Sequence, residues 1–319
     1  MSTNTSSTPF DLKQLQEAMG KAPPPPDPIM VTASDGVQLA VRVYSPTTAP
    51  KAILIFYHGG GAHSGAGYQM PAQQLATEEY GIQVYTPDIR GHGQSEGPRG
   101  DAPNPEQVYE DVNALLEFAK KDHSSDHNIP IFLGGHSSGA GLMLQYVTHA
   151  NENNSNNQIS VEGYLLVAPQ LGPNANVATP KADLFARVSI LPFILNGIFG
   201  VMGHKPAVQF AYSEEVLESG NIPYLTVNMG NAVSPTAPAQ QLSVMKNVKI
   251  WTGLEDELFD ADKIHELYSS VVSAGVDIIG TRDPDDDHQH RHTTHLGILV
   301  EAHRFMGPWL VEQLSQTTK

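Results

Sequence analysis

Two serines of the 319-residue chain sit in a spacing that can turn a hydroxyl into a nucleophile: Gly93-Gln94-Ser95-Glu96-Gly97 and Gly135-His136-Ser137-Ser138-Gly139. A hydroxyl is a poor nucleophile until a base takes its proton, and that base needs a partner that fixes its tautomer. The chemistry in view is acyl transfer, in which the oxyanion that forms at the attacked carbonyl is met by backbone amides. The pattern is short and occurs twice, so context must choose between the two serines.

Gly93–Gly97 begins several residues after its strand has ended, and Pro98 and Gly100 follow it, so no helix can start there. Gly135–Gly139 is entered directly from an apolar run, Ile129 to Leu133, and left directly into Ala140-Gly141-Leu142-Met143-Leu144. Strand, sharp turn and helix together make a nucleophile elbow, with small residues needed where the backbone folds back. This assigns Ser137 as the nucleophile, held at a helix amino terminus where dipole and free amides favour an anion.

The base should be a histidine late in the chain, after an acid, in the order Ser, acid, His. The tail offers His288, His290, His292, His295 and His303. His295 stands where a loop turns into an apolar helix, at Thr294-His295-Leu296-Gly297-Ile298, and is assigned as the base, with His292 as the second choice. The acid should close an earlier strand, and Val248-Lys249-Ile250-Trp251-Thr252-Gly253 is followed by Leu254-Glu255-Asp256-Glu257. Asp256 is assigned, Glu255 is the alternative, and Asp260 reads as a helix N-cap. The oxyanion amides are read as Ser138 N–H, next to the nucleophile, and Gly60 N–H within His58-Gly59-Gly60-Gly61. His288, His290, His292 and His295 with Asp285 to Asp287 form the one run with metal-ligand character. It reads as solvated loop that would hold divalent ions loosely, so no metal is expected.

These residues need a frame. Val31 to Ser34 and Val37 to Tyr44 alternate around Asp35-Gly36, a hairpin signal. Ala52 to Tyr57 is apolar on both faces, as a central strand between two helix layers must be. Strands at Ile82 to Thr86, Ile129 to Leu133, Val161 to Val167, Val248 to Thr252 and Val276 to Thr281 follow. They alternate with helices at Tyr68 to Tyr80 (Gly81 as cap), Pro105 to Lys121, Ser138 to Ala150, Ala261 to Ala274 and Leu299 to Leu314. The result is a mostly parallel central sheet flanked by helices. The rhythm breaks from about residue 170 to 242, read as a mainly helical cap or lid insertion. Its apolar clusters, such as Ile190 to Phe199, read as a pocket lid or as the cap's own core. The divisions are a flexible N-terminal segment (1–28), a first stretch of the α/β core (29–169), the insertion (170–242) and a second stretch of the α/β core (243–319).

A formal net charge of −16 argues against nucleic acid and acidic membranes as partners. The absence of cysteine excludes disulfides, thiolate metal sites and a Cys nucleophile. Residues 1–8 carry no basic start and apolar run, and Val188 to Met202 is too short to span a bilayer, being broken by Pro192 and Asn196. The expectation is a cytoplasmic protein without stable membrane insertion.

Four blocks resemble the monoglyceride lipase and serine aminopeptidase (S33-type) branch of the α/β-hydrolases. They are His58 to Ser64, Asp88 to Gly97, Gly135 to Gly139 and Gly253 to Asp260. The resemblance implies the α/β-hydrolase fold and hydrolysis through an acyl-enzyme, without a cofactor. It places Asp256 on the catalytic aspartate and Ser95 in a structural loop whose Arg90 and His92 brace the wall of the site. The expected substrate is a small-molecule ester such as a monoacylglycerol. An aminopeptidase or amidase is the alternative, requiring acidic pocket residues for a substrate ammonium. A non-catalytic binding module is the third reading. Relatives with epoxide hydrolase or dehalogenase activity need Asp at the elbow, where this chain has Ser137.

Overall fold

The computed structural model describes residues 13–123, 129–153, 159–269, 271, 274–280 and 293–317. Helix α1 (Lys13–Lys21) precedes the sheet and buries Leu15. Strands β1 (Ile29–Thr32) and β2 (Gln38–Tyr44) pair antiparallel around Asp35-Gly36, with Gly36 at φ +89° as the turn demands. Strand β3 (Ala52–Tyr57) is buried throughout. Its Ile53, Ile55 and Tyr57 enter one core and its Ala52, Leu54 and Phe56 the other. That two-sided burial is why the segment reads as an unbroken apolar run.

The chain then alternates through α2 (Gln69–Leu75), β4 (Ile82–Pro87), α3 (Pro105–Asp122), β5 (Ile131–His136), α4 (Ser138–Glu152) and β6 (Gly163–Val167). Helix α3 starts as its sequence dictates: Asn104 Oδ1 accepts from Gln107 N at 2.8 Å and Pro105 holds the first turn. Helix α2 is shorter than the expected 68–80. The Thr77 hydroxyl donates to Gln74 O at 2.6 Å at its end, the local side-chain bond by which threonine competes with a helical ladder. Gly81, at φ +71°, turns the chain into β4 instead of capping α2.

The stretch after β6 holds α5 (Pro180–Phe185), β7 (Ala186–Val188), α6 (Ile190–Phe199), β8 (Pro206–Phe210), α7 (Glu214–Glu218), β9 (Tyr224–Thr226), α8 (Val227–Val233) and α9 (Pro238–Ser243). It is mainly helical, as expected, with a three-stranded antiparallel sheet, β7-β8-β9, that alternation over such short segments did not announce. Met229, Ala232 and Val233 of α8 join the core that α3 and α4 form. Ile190, Leu191, Ile194, Ile198 and Phe199 of α6 face outward, so this apolar cluster is not the cap's own core.

Strand β10 (Val248–Gly253), α10 (Ala261–Ser269), β11 (Ala274–Ile279), α11 (Ile298–Glu301) and α12 (His303–Thr317) complete the chain. The eight-stranded sheet runs β1-β2-β4-β3-β5-β6-β10-β11, parallel from β4 onward. The chain steps from β3 outward to β4 and then back across to β5, so strand order reverses at β3 and β5. In open α/β sheets that reversal leaves a crevice beyond the carboxyl ends of the strands. Helices α3, α4 and α10 cover one face and α2, α11 and α12 the other. Among the described residues, no helix is long and apolar enough to cross a membrane.

Candidate active site

Strand β5 ends at His136, and the chain reverses through Ser137 into α4. Ser137 has φ 54° and ψ −118°, a conformation that costs a non-glycine residue about 1–3 kcal/mol. Four bonds hold it there. Its N–H donates to Val167 O at 3.0 Å, and its carbonyl accepts from Ala140 N (3.1 Å), Gly141 N (3.2 Å) and Gln170 N (3.1 Å). The flanking glycines are required by contact: a Cβ on Gly135 would fall on the Gly139 backbone, and one on Gly139 would stand 2.5 Å from Tyr57 O.

The loops after β10 and β11 meet at this serine. His295 Nε2 lies 3.1 Å from Ser137 Oγ, and His295 Nδ1 lies 2.9 Å from Asp256 Oδ2. The second Asp256 oxygen accepts from Leu258 N at 2.8 Å and Phe259 N at 2.9 Å. A carboxylate so bound accepts from Nδ1–H and leaves Nε2 free to accept the serine proton. The three groups are well enclosed, with Ser137 only 9% exposed and His295 3%.

The acid loop and the histidine loop are stitched together. His295 N donates to Glu257 Oε2 at 2.8 Å, Thr293 Oγ1 to Glu255 Oε2 at 3.1 Å, and Glu255 N to Thr293 O at 3.2 Å. Glu255, the alternative acid, thus faces Thr293 and not the imidazole. Gly253 permits the approach, since a Cβ there would fall on Thr293 O. His288, His290, His292 and Asp285 to Asp287 lie outside the described residues. Among the described residues no group of three or more metal-ligating side chains exists. His303 opens α12, in keeping with its expected place inside a helix.

Gly60 and Ser138 also come together. Ser138 opens α4, so its N–H has no acceptor within the helix. A Cβ on Gly60 would stand 2.9 Å from Ser138 Oγ and 2.8 Å from Phe210 Cζ. The Gly59 N–H next door is committed to Tyr68 Oη at 2.7 Å. The insertion grips this loop: Tyr212 Oη donates to Gly60 O at 2.7 Å, and Ile222 N to Gly61 O at 2.8 Å. Rings of Phe185, Phe210 and Tyr212 pack together above it.

The other serine has a structural place. Ser95 Oγ donates to Asp88 O at 2.6 Å and accepts from Ala40 N at 2.8 Å. Asp88 accepts from Ser64 N at 2.6 Å and Gln94 N at 2.8 Å, tying this loop to the loop after β3 that carries Gly60. Burial pushes the Asp88 carboxyl up, but His58 and these amides outweigh it and hold it below the usual carboxylate range. His58 accepts from Ile89 N at 3.0 Å, and burial lowers it to about 4. His92 packs beside it with its ring tilted, and burial lowers it to about 3. Arg90 grips Asp111 of α3 (2.6 Å from Nε and from Nη2) and Asp35 of the hairpin turn (2.9 and 3.2 Å). Sequence reasoning missed Glu257, Gly253, Tyr68 and His136 as site neighbours. His136 lies inside the elbow motif and Gly253 and Glu257 inside the acid-loop block, whereas Tyr68 falls outside every motif.

The serine aminopeptidase, S33, family model matches residues 48–279. The human monoglyceride lipase is 33% identical over 161 residues, covering 50% of this chain and 48% of that protein. The monoacylglycerol lipase of Mycolicibacterium smegmatis is 33% identical over 111 residues, covering 35% of this chain and 38% of the relative. The chain thus matches about half the length of these curated relatives or less. A soluble variant of monoglyceride lipase from Saccharomyces cerevisiae, solved with a substrate analogue, superposes with a TM-score of 0.64 at 15% identity, covering 97% of this chain and 99% of that one. A thermostable carboxyl esterase from Bacillus coagulans, bound to glycerol, gives 0.62 at 16% identity over 90% of this chain and 98% of that one. At such identities the two structures speak for the fold, and the family model covers most of the chain. The chain therefore belongs to the serine aminopeptidase, S33, family of the α/β-hydrolases.

Proposed function

We propose that the protein is a serine hydrolase that cleaves a carboxylic ester of fairly apolar character, such as a monoacylglycerol, through an acyl-enzyme on Ser137. The observation that carries this reading is the line Ser137 Oγ, His295 Nε2, His295 Nδ1, Asp256 Oδ2, with separations of 3.1 and 2.9 Å. In it His295 takes the hydroxyl proton as Oγ attacks the ester carbonyl. Asp256 stabilises the imidazolium, and the amides of Gly60 and Ser138 receive the oxyanion. His295 then returns the proton to the departing alcohol. Water repeats the sequence to release the acid and restore Ser137. Residues 170–242 act as the cap, their Phe185, Phe210 and Tyr212 giving an aromatic wall beside the oxyanion loop.

The ester reading is preferred to the amidase reading because the two carboxylates flanking Asp256 in sequence serve the histidine loop: Glu257 takes His295 N–H and Glu255 takes the Thr293 hydroxyl. An aminopeptidase would want such groups turned to a substrate ammonium. The lipase and esterase names of the relatives point the same way.

The test is labelling with a fluorophosphonate followed by a p-nitrophenyl ester series of increasing acyl length. Wild type should be labelled and active, and Ser137→Ala should be neither. A fully active Ser137→Ala protein would sink the proposal.

A further inference from the structure

One chain of buried hydrogen bonds runs beneath the nucleophile and joins the three loops that the proposed mechanism needs in register. Gly59 N, in the oxyanion loop, donates to Tyr68 Oη at 2.7 Å. Tyr68 Oη lies 3.0 Å from His136 Nδ1. His136 Nε2 lies 2.9 Å from the backbone carbonyl of His295. Tyr68 and His136 are each about 1% exposed, so water cannot replace either partner cheaply. His136 is the last residue of β5 and the immediate neighbour of Ser137.

Counting protons leaves one arrangement. The tyrosine hydroxyl has a single hydrogen and already accepts from Gly59 N–H, so it donates to His136 Nδ1. Nδ1 is then an unprotonated acceptor, and the ring proton sits on Nε2, which donates to His295 C=O. Every group is satisfied, and reversing any one bond would leave two donors or two acceptors facing each other. Burial, reinforced by the charge of nearby His295, holds His136 well below the usual histidine range. Burial likewise raises the Tyr68 hydroxyl far above the usual tyrosine range. Both links therefore stay neutral. Neutrality matters because the ring centroids of His136 and His295 are 4.8 Å apart, and a charged His136 would oppose the imidazolium formed on His295.

We propose that Tyr68 and His136 are positioning residues that hold the oxyanion loop, the Ser137 elbow and the His295 loop in one geometry. The proposal rests on the reading of Ser137, Asp256 and His295 as the catalytic triad. Neither positioning residue touches a reacting atom in it. Their work is to keep the Gly59–Gly60 segment and His295 from drifting apart, since about 1 Å of misplacement can cost about a hundredfold in rate. The motif pattern cannot reveal this, because it leaves the residue before the serine unspecified and Tyr68 lies 68 positions away from His136.

The experiment compares wild type, Tyr68→Phe, His136→Gln, the double variant and Ser137→Ala on a soluble p-nitrophenyl ester, with thermal unfolding and proton NMR. Tyr68→Phe and His136→Gln should each lower kcat about tenfold with KM changed less than about twofold. The double variant should lose no more than the worse single one, because both cut the same chain. The low-field proton of the His295 Nδ1–Asp256 bond should be present in wild type and broadened in both single variants. Wild-type kcat in a folded Tyr68→Phe protein would overturn the proposal. So would a loss confined to KM, or single losses that multiply in the double variant. Activity in Ser137→Ala would sink the triad itself. An inactive Ser137→Ala beside a fully active Tyr68→Phe would sink only the positioning chain.

Discussion

At the scale of the residue, one pattern serves two serines with opposite duties. Ser95 Oγ satisfies a strand amide, Ala40 N, and a loop carbonyl, Asp88 O, in a buried place. Ser137 satisfies the proposed base. Ser95→Ala should therefore destabilise the fold by about 1–3 kcal/mol, the cost of leaving a buried amide unpaired, while kcat of the folded enzyme stays near wild type. Ser137→Ala should remove turnover and leave the unfolding midpoint nearly unchanged. Denaturant titration beside an ester assay separates the two. Ser95→Ala that is inactive yet fully stable would contradict the division of labour.

Each element contributes the loop at its carboxyl end: β3 the proposed oxyanion loop, β5 the elbow, β10 the proposed acid and β11 the proposed base. Parallel packing brings these ends to one edge, but how closely two loops approach depends on small residues. Gly253 is such a place, because the Thr293 carbonyl occupies the space a side chain would need. Gly253→Ala should push the His295 loop away from Asp256 and lower kcat about a hundredfold or more. Reactivity toward the fluorophosphonate should fall in parallel. An alanine variant with wild-type kcat would mean the loop can yield without moving His295. The elbow, by contrast, was legible as strand, glycines and helix because all its determinants lie within one consecutive stretch, Ile129 to Leu144.

For the whole molecule, neutral histidines buried behind the site link stability to pH. An unfolded His58 titrates near 6.5, whereas burial lowers it to about 4 in the folded protein. Between these values the unfolded chain binds a proton that the folded one does not, so stability is full above pH 6.5 and is lost as pH falls toward 4. For His58 this is on the order of 3 kcal/mol, and His92, lowered to about 3, acts in the same sense. The thermal midpoint should therefore drop between pH 7 and pH 5, and less so in a folded His92→Asn variant. A midpoint independent of pH over that interval would count against neutral burial.

Local pattern pointed to the sheet with helices on both faces, to Ser137 over Ser95 as the proposed nucleophile, and to Asp256 and His295 as its proposed partners, with Glu255 and His292 still open as alternatives. The reason is that a central strand, an elbow and a strand-end loop are each written in consecutive residues, and chain order constrains the rest. Only the tertiary structure decided what lies between those segments. It set the small antiparallel sheet within the insertion and the outward-facing apolar side chains of α6. It brought Tyr212 onto Gly60 and Glu257 onto His295. It also closed the link from Gly59 through Tyr68 and His136 to His295, contacts between residues up to 159 positions apart. Such pairings have no period and no motif, because they depend on where separate loops meet once the sheet has closed around its two cores.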